Sequence, residues 1–147
     1  MPGITLLVED PKWRSHRGLL ARLDKAAQSA RRSAGLKGGF TILLADDKKL
    51  RALNREFRGK DKPTNVLSFP GADAYAGDIA IAYGVTVKEA KAGAKSLADH
   101  ATHLVVHGVL HLAGHDHIRV RDAKVMEKLE IDILGRLGIA DPYAVAG

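Results

Sequence analysis

Four of the chain's seven histidines fall within one eleven-residue stretch, His107-Gly108-Val109-Leu110-His111-Leu112-Ala113-Gly114-His115-Asp116-His117. His107 and His111 stand four apart in a run that is otherwise apolar. On an α-helix that spacing puts both on one face, one turn apart, with Cβ atoms about 5–6 Å from each other. Two imidazoles so placed can share a metal ion. Gly114 can end the helix in the left-handed conformation that glycine adopts without steric cost, and the turn brings His115 or His117 back toward the pair. His103 lies on the same face, but eight residues of helix rise about 12 Å, so one ion cannot bind both His103 and His111. A third ligand after Gly114 favours His107 with His111 over His103 with His107.

A lone histidine on an apolar helix face is usually a core residue with its nitrogens satisfied. That reading weakens for His-x-x-x-His followed by a glycine turn and a further histidine, because neutral imidazole is the commonest metal ligand. A catalytic zinc takes three protein ligands and keeps one position open. The pattern H-x-x-x-H-x-x-G-x-x-H has the ligand spacing of the metzincin proteases, whose third ligand is the last histidine; by that spacing the ligands are His107, His111 and His117. Asp116 then fits equally as a turn residue or as a partner of a ligand. The protease chemistry is not matched: metzincins carry a glutamate general base directly after the first histidine, and here that residue is Gly108. Met126 lies on a helical stripe and reads as core rather than as a Met-turn.

These residues sit in a chain of 147 residues, 46% hydrophobic and 27% charged, as expected of one soluble folded domain spanning 1–147. There is no cysteine, so thiolate zinc, iron–sulfur clusters and disulfides are excluded and any metal must be held by His, Asp or Glu. No signal peptide or membrane-length apolar run is evident, and a cytoplasmic location is expected, with no membrane partner. The net charge of +6 is unevenly placed: residues 1–63 hold 15 Lys+Arg against 7 Asp+Glu, residues 64–147 hold 8 against 10. A basic half suits a polyanionic partner, nucleic acid before membrane. Aromatic residues, at 5%, argue against a broad base-stacking platform.

The elements that must position the histidines follow from punctuation and periodicity. Ile4–Val8 reads as a strand, and Asp10-Pro11 as the start of a helix from about Lys12 to Ser33, with Arg14, Arg17, Arg22, Lys25, Arg31 and Arg32 on its outer face. Phe40–Ala45 reads as a buried strand. Asp46 caps a helix with Leu50, Leu53 and Phe57 on its apolar face, ending in the basic loop Arg58-Gly59-Lys60-Asp61-Lys62-Pro63. Val66–Phe69 and Asp78–Ala82 are further strands, separated by the small-residue loop Gly71–Gly77 and closed by Tyr83-Gly84. A helix at about Thr86–Lys95 follows, then one restarting at Ser96 or Asp99 and running to Ala113. The last helix, Asp122–Leu137, has Val125, Met126, Leu129, Ile133 and Leu137 as its stripe and Gly138 as its stop. Helical connections favour parallel strand pairing and the short third-to-fourth link favours antiparallel, predicting an α+β fold with a small mixed four-stranded sheet and about five helices.

Taken together, the motifs resemble a known family. His107–His117 is similar to the signature H-G-x-L-H-L-x-G-Y-D-H of the YbeY family of bacterial metal-dependent endoribonucleases, with His115 where the family commonly has tyrosine. Leu53 through Pro70 resembles that family's second conserved block, Gly77-Asp78-Ile79 its third, and the helix from Met126 to Glu130 its last. The resemblance implies an α+β fold, one zinc ion on His107, His111 and His117, and a single-strand-specific endoribonuclease. It also implies a role in 16S rRNA 3′-end maturation and ribosome quality control, with rRNA, the small ribosomal subunit and its assembly factors as partners and no DNA. The family's essential arginine falls on Arg58, expected with His107 to be catalytic, and Lys60 and Lys62 are expected to add phosphate contacts. Asn65 and Ser68 fit equally as substrate contacts or as cap and turn residues. Without a glutamate after His107, the general base is open among metal hydroxide, a substrate 2′-OH and Asp116. Two other classes remain: a metzincin-like protease or metal hydrolase, and a ribosome-assembly binding module with a structural zinc.

Overall fold

The computed structural model describes residues 3–115 and 119–144. Four short apolar segments pair into one sheet: β1 (Ile4–Val8), β2 (Gly39–Ala45), β3 (Val66–Pro70) and β4 (Tyr75–Ala82). The order is β1-β2-β4-β3, with β1, β2 and β4 parallel and β3 antiparallel to β4. The mixed sheet expected from the connections is therefore present. The helices are α1 (Leu19–Ala34), α2 (Asp47–Arg58), α3 (Tyr83–Ala92), α4 (Leu97–Leu112) and α5 (Val120–Arg136). No helix among the described residues is long and apolar enough to cross a membrane.

Strand alternation gives the sheet two apolar faces. Phe40, Ile42, Leu44, Ile79 and Ile81 join the larger core, with Leu23, Ala27, Leu104, Val105, Met126 and Ile133 from α1, α4 and α5. Ala45, Leu67, Ala80 and Ala82 meet Leu50 and Leu53 of α2 on the other face. Helix α4 is the most enclosed: Leu104, Val105, Val106, Gly108, Val109 and Leu110 are all buried, so the helix bearing the paired histidines is held by the core itself. Buried apolar surface contributes roughly 25 cal/mol per Å², which makes α4 the element least free to shift.

Several boundaries differ from the sequence reading. The expected single helix over 12–33 is split into a 3-10 turn, Pro11–Ser15, and α1, with Gly18 in the left-handed region at φ 76°. Burial of Trp13 causes the break, because its indole Nε1 donates to the Ala45 carbonyl at 2.9 Å and draws the turn onto the end of β2. Arg14 and Arg17 consequently precede α1, and Arg31 is buried rather than on an outer face. Tyr83 opens α3 instead of closing β4, and β4 begins at Tyr75, inside the stretch expected to be loop. On α5, Val125 is 49% exposed while Glu130 is 1% exposed. The stripe therefore runs through Met126, Glu130, Ile133 and Leu134.

Candidate active site

Helix α4 begins where the Ser96 hydroxyl accepts a hydrogen bond from the Asp99 N–H at 3.0 Å. It ends in paired bonds from Gly114 N–H to His111 C=O and from His115 N–H to Leu110 C=O, both 3.0 Å. That is a Schellman closure with Gly114 in the left-handed position at φ 96°. The turn expected after His111 is thus present, and His115 lies beside the helix end. Asp116 and His117 lie outside the described residues.

His107 and His111 face each other, their Nε2 atoms 3.0 Å apart. On the far side of its ring, His107 Nδ1 meets the Glu130 carboxylate at 2.8 Å. A carboxylate only accepts, so Nδ1 carries the hydrogen, and in the tautomer with no second ring hydrogen the Nε2 lone pair faces His111. His103 does not join the pair; its Nε2 meets the other Glu130 oxygen at 2.7 Å. The Tyr143 hydroxyl donates to that same oxygen at 2.5 Å. Burial works to raise the Glu130 pKa, but the bonds from His103, His107 and Tyr143 outweigh it and bring it down to about 2. Burial, then the bond to Glu130, raises the Tyr143 phenol above its ordinary range. Glu130 is therefore an ionised carboxylate whose oxygens are taken by three donors.

This arrangement fits a metal ion. Two imidazole nitrogens each about 2.0–2.1 Å from a tetrahedral zinc stand roughly 3.3 Å apart, close to the observed 3.0 Å. A histidine ligand usually gives its other ring N–H to a carboxylate, which is the part Glu130 takes for His107. Among the described residues no cluster of three His, Cys, Asp or Glu is arranged to hold a metal ion; the expected third ligand, His117, is not among them.

A cavity of about 1050 Å³ is lined by His107 and His111 of α4 and Glu130 of α5 and also by Arg58 of α2 and Lys60 and Lys62 of its following loop. The fold brings these groups together because β3 runs beside α4, where the Ser68 hydroxyl donates to the Gly108 carbonyl at 3.2 Å. Arg58 ends α2 and donates from Nη2 to the Ser68 carbonyl at 2.9 Å. A guanidinium has five N–H donors, more than one carbonyl uses. The basic loop is fixed by Asn54, which is buried and donates from its side-chain amide to the Lys62 carbonyl at 3.0 Å, while its own carbonyl accepts the Lys60 N–H. Asn65 and Ser68 hold the scaffold: the Asn65 amide donates to Glu89 at 3.0 Å and its oxygen accepts the Val66 N–H at 2.7 Å.

Gly108 leaves no side chain where the metzincin pattern has its glutamate general base. A Cβ at this position would stand 2.9 Å from Ile79 Cγ2, closer than two carbons pack. Helix α4 packs so closely on β4 here that any side chain at this position would force Ile79 to move.

Sequence reasoning missed Glu130, Asn54 and Tyr143. Only Glu130 left a trace, an acidic residue among Met126, Ile133 and Leu134 on the apolar stripe of α5.

The chain resembles known proteins along most of its length. The model of the family described as Endoribonuclease YbeY matches residues 12–138. The chain is 52% identical over 136 residues to Endoribonuclease YbeY of Chelativorans sp. (strain BNC1), covering 87% of this chain and 83% of that protein. It is 44% identical to Endoribonuclease YbeY of Paracoccus denitrificans, covering 95% and 89%. The solution structure of TM1509 from Thermotoga maritima superposes with a TM-score of 0.62 at 25% identity, covering 97% of this chain and 99% of that one. With the family model matching residues 12–138 and such relatives over most of its length, the chain belongs to the Endoribonuclease YbeY family.

Proposed function

We propose that this chain is a single-strand-specific, zinc-dependent endoribonuclease acting in the cytoplasm on rRNA of the small ribosomal subunit, in 16S rRNA 3′-end maturation and ribosome quality control. The observation that carries this reading is that the facing His107 and His111 nitrogens and Arg58 line one cavity. The matched relatives are named as endoribonucleases, and the basic wall suits a phosphate backbone.

His107, His111 and His117 would hold the ion through three neutral ligands, leaving its charge undiminished. A zinc so held supplies Lewis acidity toward a phosphoryl oxygen and a water of lowered pKa. Glu130 keeps His107 in the tautomer whose Nε2 lone pair faces the ion's place, and His103 and Tyr143 hold Glu130. Arg58 forks onto the scissile phosphate and stabilises the charge that develops on its oxygens. Lys60 and Lys62 bind neighbouring phosphates as point charges. Gly108 disfavours the alternative of a peptidase.

Metal analysis of purified protein, paired with cleavage of single-stranded and duplex RNA, tests the reading. The expected result is bound zinc, cleavage of the single strand alone, loss with a chelator and recovery on zinc addition. Undiminished cleavage after complete metal removal would overturn it.

A further inference from the structure

Phe57 is 59% exposed, an unusual state for a large apolar ring at the buried-stripe spacing of its helix. It stands on the last turn of α2 with its ring 5.2 Å from that of Phe69 and tilted 59° to it. The guanidinium carbon of Arg58 lies 5.7 Å from the Phe69 ring centre, and Arg58 also lines the cleft that holds His107 and His111. The other exposed aromatics on the described surface have polar partners for their tips: Tyr75 donates to Asp78 at 2.5 Å, and Tyr143 is tied to Glu130. Phe57 has no polar tip, so its exposed area offers only an aromatic surface.

The surroundings select the occupant. Arg55, Arg58, Lys60 and Lys62 along this end of α2 and its loop outnumber the acids there, Glu56 and Asp61, the latter paired with Arg51 at 2.8 Å. A hydrophobic protein partner would have to desolvate these cations, whereas a nucleotide meets both features, its base on the ring and its phosphates on the cations. We propose that Phe57, backed by Phe69, is a stacking site for one unpaired nucleobase of the RNA strand whose phosphate Arg58 grips. This rests on the reading of the chain as a single-strand ribonuclease and adds a reason for the preference. A paired base is covered above and below by its neighbours, while an unpaired base can lay one face on the ring.

The test compares wild type with Phe57→Leu and Phe57→Trp as zinc-loaded proteins, on a single-stranded RNA oligomer and on its duplex. Leucine keeps an apolar cover over Phe69 but removes the stacking face. Phe57→Leu is expected to raise KM for the single strand about tenfold, the scale of one base–aromatic stack, with zinc content and Tm unchanged. Phe57→Trp is expected to restore KM, and its exposed indole to be quenched by the single strand and not by the duplex, over the constant signal of buried Trp13. A wild-type KM in Phe57→Leu, or equal quenching by both RNAs, overturns the stacking site while leaving the nuclease intact. A wild type that neither binds nor cleaves the single strand overturns both readings.

Discussion

The two walls of the cleft are built on opposite principles. On the α4–α5 wall, His103, His107, Glu130 and Tyr143 form a closed hydrogen-bonded group around a carboxylate that is 1% exposed. On the α2–β3 wall, Arg58, Lys60 and Lys62 are exposed cations on the end of a helix and a loop. Holding a metal needs ligand nitrogens placed to within tenths of an ångström, and the buried Glu130 carboxylate orients the His107 ring. Gripping a polyanion needs charge more than placement, and charge is cheapest to keep where water still solvates it. Losing a ligand histidine on the first wall should therefore be all-or-none, and losing a lysine on the second graded and salt-sensitive.

Substitutions can break or sharpen this contrast. The largest effect is expected from His107→Ala, which should reduce zinc, measured by mass spectrometry of purified protein, to background and abolish cleavage with it; retained stoichiometric zinc would remove His107 from the ligand set. Next, Arg58→Ala should lower kcat by about 10²–10³, the scale of losing one transition-state charge donor, with zinc content unchanged. Cleavage at the wild-type rate would end Arg58's assigned role. Glu130→Gln keeps the shape but replaces the carboxylate that accepts from His107; chelator competition should show zinc affinity about 10–100-fold weaker, with the circular dichroism of the folded protein retained. The smallest effect is expected from Lys60→Ala with Lys62→Ala. RNA affinity should fall modestly, and the slope of log affinity against log salt should flatten by about 0.7 for each phosphate contact removed. An unchanged slope would mean that neither lysine touches phosphate.

What the sequence made legible depended on how local each signal was. The His107–His111 pair and the Gly114 turn are written within one helix and its cap, where four-residue spacing and a left-handed glycine carry fixed geometric meaning. The strand and helix order likewise predicted a mixed sheet with the short β3–β4 link antiparallel. Glu130 was illegible because its partners lie on another helix; by period alone it occupies a core position of α5. The split of the first helix was hidden for a similar reason, since it depends on Trp13 reaching Ala45 across 32 residues. Phe57 fits an apolar stripe by spacing, but only the tertiary structure shows that its end of α2 leaves the ring largely exposed.

The tight seat of α4 at Gly108 also distinguishes the two sides of the cleft. With Ile79 occupying the space a Cβ would need, and the helix enclosed along most of its length, the histidine wall behaves as a fixed anvil. The other side of the cleft is held by fewer and more exposed contacts: Arg58 on the Ser68 carbonyl, and the loop that Asn54 ties at Lys60 and Lys62. On the proposed reading, the cleft sets its metal-holding groups on the side of the fold that is packed hardest.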